Sequence, residues 1–156
     1  LMQVLGDVNY MSGSTLALEL GGLAFGAEYD RIDVADDGST AAVEGTATIE
    51  DGTIFDIDYY GAFTANLGDA FDVLVADDID SGMLSAMLFD FSGAALGSGL
   101  DWDFNIVDFG GGREALRLIV VSNVTQPPSE VPAPGIMLIF ALGLAGLGVA
   151  RRKRAA

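Results

Sequence analysis

Apolar and polar residues alternate one by one through residues 15–122. Leu16, Leu18 and Leu20 enclose Ala17 and Glu19, and Ile32 and Val34 stand either side of Asp33. Phe55, Ile57 and Tyr59 enclose Asp56 and Asp58, and Phe71, Val73 and Val75 enclose Asp72 and Leu74. Trp102, Phe104 and Ile106 enclose Asp103 and Asn105, and Leu116, Leu118 and Val120 close the series. Strand side chains point to opposite faces in turn, so a period of two marks strands with one face buried and one face wet. Asp37-Gly38, Asp51-Gly52 and Gly110-Gly111-Gly112 punctuate the runs with residues that accept positive φ. Asp51-Gly52 is the best signal of a hairpin or tight corner. The reading is all-β, with Phe55, Ile57, Phe71, Val73, Trp102, Phe104, Leu116 and Leu118 inside. A recurrence of about 8–12 residues suits sandwiches, barrels and solenoids alike, so spacing leaves the architecture open.

A chain of 156 residues accommodates one domain and a tail. The net charge of −16 is unevenly spread. All 23 carboxylates precede Val131, opposed there only by Arg31, Arg113 and Arg117, so that part carries −20 and the remainder +4. Such a field excludes nucleic acid as a partner and favours solubility and the attraction of cations. The chain has no Cys and no His. Disulfide staples, His-dependent triads and zinc sites of the usual ligand types are therefore excluded. The opening LMQVLGDVNY lacks the basic and apolar regions of a secretory signal, and Leu1 is no natural start. Residues 1–14 thus read as the edge of a mature or truncated domain.

Clustered carboxylates are the residues with chemical promise. Asp36-Asp37, and Asp77, Asp78 and Asp80, stand at turn-like positions and could supply oxygens to Ca²⁺, which takes about six to eight. Their spacing fits neither the EF-hand nor the nonapeptide calcium repeat, and solvated loop acids are the simpler reading. No cofactor is expected, with Ca²⁺ at Asp77, Asp78 and Asp80 as the alternative. Asp56 and Asp58 share a strand face and could flank a sugar as acid and base. Any half-buried strand of an acidic protein shows the same alternation, so no catalytic residue is expected. Trp102, between Asp101 and Asp103, could offer a stacking platform, but its apolar neighbours two residues away favour the core.

The last stretch has three parts in fixed order. Residues 125–134 form a Pro-rich linker ending in Val131, Pro132, Ala133 and Pro134, residues 135–150 are uncharged and apolar, and residues 151–156 begin with Arg151, Arg152, Lys153 and Arg154. About 20 apolar residues span a bilayer as a helix, a count that residues 131–150 just meet. Local thinning and snorkelling of the basic end accommodate so short a transmembrane helix. The basic cluster holds its end in the cytoplasm, leaving residues 15–124 as an extracellular all-β domain.

VPAP, a span containing GLAGLG, and RRKR together resemble the PEP-CTERM sorting signal in its VPxP form. The resemblance implies that an exosortase in a bacterial inner membrane recognises the tail, cuts near the Pro motif and passes the protein to the cell surface. Ala133 stands where the commonest form of that signal has Glu. A plain anchor has no need of a rigid VPAP beside the membrane. A second resemblance rests on Tyr29-Asp30, the run from Gly45 to Thr53, the run from Gly68 to Leu74, and GLDWD from Gly99 to Asp103. In that order these are similar to a segment at the C-terminal end of β-helical stalks in autotransporter-type adhesins. The implied fold is a short right-handed β-helix, or solenoid, in which rungs stack, with a jelly-roll β-sandwich as the alternative. The expectation is a non-enzymatic, exported cell-surface or extracellular-matrix (biofilm) protein. Its partners would be the membrane, an exosortase and exopolysaccharide. Two other functions stand beside it: a carbohydrate-binding or carbohydrate-active domain using the acidic strand faces, and an adhesin or filament subunit that self-associates by stacking.

Overall fold

A computed structural model describes residues 1–38, 45–80 and 88–123. Among these the chain forms eleven strands and no helix. The first nine come in three similar passes. The first pass is β1 (Met2–Leu5), β2 (Val8–Tyr10) and β3 (Thr15–Leu20). The second is β4 (Ile32–Ala35), β5 (Thr46–Ile49) and β6 (Ile54–Tyr59), and the third is β7 (Ala70–Ala76), β8 (Asp78–Asp80) and β9 (Leu88–Gly93). Each strand pairs in parallel with its counterpart one pass earlier, giving rows β1-β4-β7, β2-β5-β8 and β3-β6-β9. Equivalent side chains therefore sit one strand spacing apart, in columns such as Leu16–Phe55–Phe89 and Val8–Ala47–Ile79. A jelly roll, antiparallel throughout, does not have this pairing.

The end of the domain is built differently. β10 (Leu100–Gly110) and β11 (Arg113–Ser122) form an antiparallel hairpin, and β11 pairs antiparallel with β7, extending the first row to β1-β4-β7-β11-β10. Its turn places Gly110, Gly111 and Gly112 at φ of 93°, 69° and 82°, where a Cβ would be strained.

The core follows the alternation. Phe55, Ile57, Phe71, Val73, Leu116 and Leu118 are fully buried, and Trp102 and Phe104 are half-buried against them. Nine aromatic rings form one connected set. Tyr59 meets Phe63, Phe63 and Tyr29 meet Phe71, Phe71 meets Trp102, and Trp102 stacks on Phe91. Phe91 stacks on Phe89, which touches Phe55 and Phe104. The alternation breaks once, in β7. Leu116 and Arg117 pair with Leu74 and Asp72, so Val73 is an extra residue in β7. This bulge reverses the phase, so Leu74 and Ala76 join the core cluster and Val75 lies outside it.

Residues 1–14 contain β1 and β2, which form the first strands of their rows. One further expectation is corrected. Asp78-Ile79-Asp80 is a strand and not a turn, its two carboxylates outward and Ile79 2 % exposed. Of the two readings offered for Asp51-Gly52 the corner holds, since β5 and β6 belong to different rows. All the strand pairs and the whole core cluster lie within the compact unit Leu1–Val124, which thus carries what it needs to fold on its own. The linker, the motif of Val131, Pro132, Ala133 and Pro134, the helix expected over 135–150, and Arg151, Arg152, Lys153 and Arg154 lie outside the described residues.

Candidate functional site

The three arginines of the described residues are all drawn inward. Arg113, at the start of β11, donates to Asp33 Oδ1 at 2.6 Å, to Asp77 Oδ1 at 2.9 Å and to the Val34 carbonyl at 2.7 Å. Arg31 is 6 % exposed, donates to the other oxygen of Asp33 at 3.1 Å, and lies 3.8 Å over the Phe25 ring. Arg117 clasps both oxygens of Asp72 at 2.6 and 2.9 Å, and these bonds push its guanidinium still higher than its ordinary pKa. Because the cations are engaged in these pairs, the outward carboxylates dominate the surface potential.

The acids singled out in the sequence fall into different settings. Asp77 is committed to Arg113 and, through Oδ2, to the Asp36 N–H at 2.9 Å. Gly45 at φ 94° makes room for this, since a Cβ there would lie 2.5 Å from Asp77 Oδ2. Asp36 also accepts from the Gly38 N–H at 2.8 Å, closing its own turn. Asp78 and Asp80 share the outward face of β8, apart from Asp77, so the three acids weighed as an alternative calcium site are not on one face. Among the described residues no group of three or more carboxylates is placed to hold a metal ion.

Asp56 and Asp58 lie on the outward face of the third row. Asp56 stands between Ala17 and Asp90, and Asp58 between Glu19 and Gly93, where the carboxylate of Asp58 fills the space a Cβ would need. Asp90 accepts from the Ser92 N–H and hydroxyl, which hold it below the usual carboxylate range. This is an open acidic ladder, and neither Asp56 nor Asp58 lines the cavities at the first pass. Trp102 donates from Nε1 to the Ala94 carbonyl at 3.0 Å and stacks on Phe91, while Asp101 and Asp103 are exposed, Asp101 Oδ1 accepting from the Trp102 backbone N–H at 2.9 Å. Its ring packs against the core cluster, half-buried.

The two ends of the parallel rows contrast. At the third pass, Trp102 and Phe104 of β10 cover Phe91 and Phe89 of β9, β11 pairs with β7, and Glu114 of β11 accepts from the Ile79 N–H of β8 at 2.9 Å. At the first pass, a cavity of about 320 Å³ opens among Leu1, Met2, Leu16, Leu18, Arg31 and Ile32. Tyr10 Oη, Ser14 Oγ and Arg31 Nε, all belonging to that pass or its outgoing loop, are buried without a partner. No periodicity in the sequence signals this cavity, because it forms between strands from separate passes.

Burial raises the Tyr10 phenol from 10.0 to about 12. Unfolded, the group ionises near 10.0, so its preference for the fold is complete below that pH and is lost as pH rises towards about 12. Tyr10→Phe removes both the late ionisation and a hydroxyl without a partner. Melting temperatures measured against pH should show this variant equal to or above the parent at neutral pH. The variant should also decline less above pH 10.0. Burial raises Tyr29 and Tyr59 as well, so some alkaline decline remains.

Residues 130–154 match the PEP-CTERM protein-sorting motif. That motif implies export, recognition by an exosortase, and processing of a membrane-associated precursor toward the cell surface. No curated protein matches the chain.

Proposed function

We propose that the chain is a non-enzymatic bacterial surface or extracellular-matrix protein, handed over by an exosortase after cleavage near Val131, Pro132, Ala133 and Pro134. The observation that carries this reading is the sorting motif over residues 130–154. In this reading residues 135–150 are the transient membrane helix and Arg151, Arg152, Lys153 and Arg154 hold its cytoplasmic end. The displayed part, Leu1–Val124, is a short right-handed β-solenoid of three rungs closed by a hairpin. Its parallel rows support that description, and crossovers between parallel strands are right-handed in about 98 % of cases. The acidic ladder of Asp56, Asp58 and Asp90 on an outward strand face fits a structural role. Its surface repels acidic polymers, so the matrix polysaccharide it would meet is neutral or cationic.

The test is intact-mass measurement of the protein from the cell surface of an exosortase-bearing host and of the same host lacking the exosortase. The expected product ends near the Pro motif and lacks RRKR, and the deletion host retains the full-length chain in its membrane. A full-length mass on protein outside the cell would overturn the proposal.

A further inference from the structure

We infer that Asp101 and Asp103 act as backbone caps that close the free edge of β10 against a second copy of this chain. The inference rests on the fold and is independent of how the tail is processed. β10 ends the row β1-β4-β7-β11-β10, with no strand beyond it among the described residues. At 11 residues it is the longest of the eleven strands. A long free edge is a template for further pairing unless something blunts it.

The register fixes which backbone groups face out. Asn123 N–H donates to the Gly99 carbonyl, and this pair continues the register that sets Leu100 opposite Ser122. Opposed residues of an antiparallel ladder alternate between bonding each other and not. Asp101, Asp103, Asn105 and Val107 therefore turn their N–H and C=O groups to β11, and Leu100, Trp102, Phe104 and Ile106 turn theirs to the free side.

On that free side the chain supplies its own partners. Leu100 N–H donates to the Gly97 carbonyl at 3.2 Å, and the Leu100 carbonyl accepts from Asn123 Nδ2 at 3.3 Å. Trp102 N–H donates to Asp101 Oδ1 and Phe104 N–H to Asp103 Oδ1, each at 2.9 Å. The carboxylate of the preceding residue thus occupies each of these two amides, through a charge-assisted bond that an incoming carbonyl must displace. In the inner strands β4 and β7 the corresponding outward acids, Asp33 and Asp72, reach arginines instead.

Without the caps, this edge fits its own copy. With Phe104 on a two-fold axis, two β10 strands lie antiparallel with Trp102 opposite Ile106. The residues that then face each other are the ones whose backbone groups are turned outward, as a self-complementary contact requires.

The test is hydrogen exchange of the Leu1–Val124 domain from low micromolar to submillimolar concentration. It compares the parent with Asp101→Ala/Asp103→Ala and Asp101→Asn/Asp103→Asn. Both acids are exposed, so the variants should keep the fold, which their far-UV spectra check. In the parent, the Trp102 and Phe104 amides should exchange at a rate independent of concentration. In the alanine variant they should exchange about 10-fold faster at the lowest concentration, the scale of one lost hydrogen bond, and slow as concentration rises. The asparagine variant matches the alanine variant in charge but keeps a carbonyl acceptor on each side chain, so its exchange should stay independent of concentration. Single variants give a second reading: Asp101→Ala should speed the Trp102 amide alone, and Asp103→Ala the Phe104 amide alone. Concentration-dependent exchange in the parent, none in the alanine variant, or single variants without residue-specific effects would each overturn the inference. An asparagine variant that pairs like the alanine one would overturn it too, since charge and not capping would then keep the copies apart.

Discussion

Truncating Phe71 to alanine is expected to cost the Leu1–Val124 domain about 3–5 kcal/mol, the range for deleting a large aromatic from a close-packed core. Phe71 is fully buried in β7, the strand between β4 and β11. Its ring meets the edges of Tyr29 and Phe63 at 5.4 and 6.1 Å and tilts against Trp102 at 6.0 Å. Those three side chains come from the loop after the first pass, the loop before the third, and the closing hairpin. The vacated volume is therefore walled by separate segments held by their own hydrogen bonds, and collapse around it is only partial. Urea unfolding of the parent and Phe71→Ala, with equal slopes, measures the difference. A loss well under 1 kcal/mol would show that the residue is not enclosed as described.

The second large effect is expected at Arg113. Breaking a fully buried ion pair from one side costs about 3–5 kcal/mol, and the 24 % exposure of this side chain lowers the expectation to about 2–3 kcal/mol. Arg113→Ala leaves Asp77 with only the Asp36 N–H and leaves Asp33 to Arg31, and it removes the donor to the Val34 carbonyl. Adding Asp77→Asn to Arg113→Ala should restore part of the loss, because the stranded charge goes with it. Chemical denaturation of the two single variants and the double variant closes the cycle. Strict additivity would mean that Arg113 acts by packing and not through Asp77.

The alternation made most of the inward face legible. Phe55, Ile57, Phe71 and Leu118 lie where a period of two puts them, because a strand with one wet face has no other way to sort its side chains. The tail was legible for another reason: its signal is a linear order of Pro motif, apolar run and basic cluster. Other features were hidden by their physics. MQVL and VNY are too short to show a period, and DID carries two acids, the mark of a turn, although Ile79 anchors it as β8. The bulge at Val73 arises from pairing with β11, so no local feature of β7 announces that Leu74 and Ala76 join the core cluster while Val75, also fully buried, stands apart from it. The pairs of Arg113 and Arg117 join residues 36 to 80 positions apart, and the cavity at the first pass gathers residues from Leu1 to Ile32. Local reading left Asp77 as a free ligand for the same reason.

The closing hairpin fixes when the domain can finish folding. β11 completes the first row only by meeting β7, and Arg113 reaches Asp33 across 80 residues of chain. Contacts of that sequence separation form late, after the loops between them are closed. A polypeptide that crosses a membrane N-terminus first, as the proposed export requires, delivers β10 and β11 last of the eleven strands. The three passes can collapse as they emerge, yet Phe89 and Phe91 stay uncovered and Asp77 without its cation until that moment. On the proposed route of export, folding is tied to late transport: the domain acquires its full rigidity only once β11 has emerged.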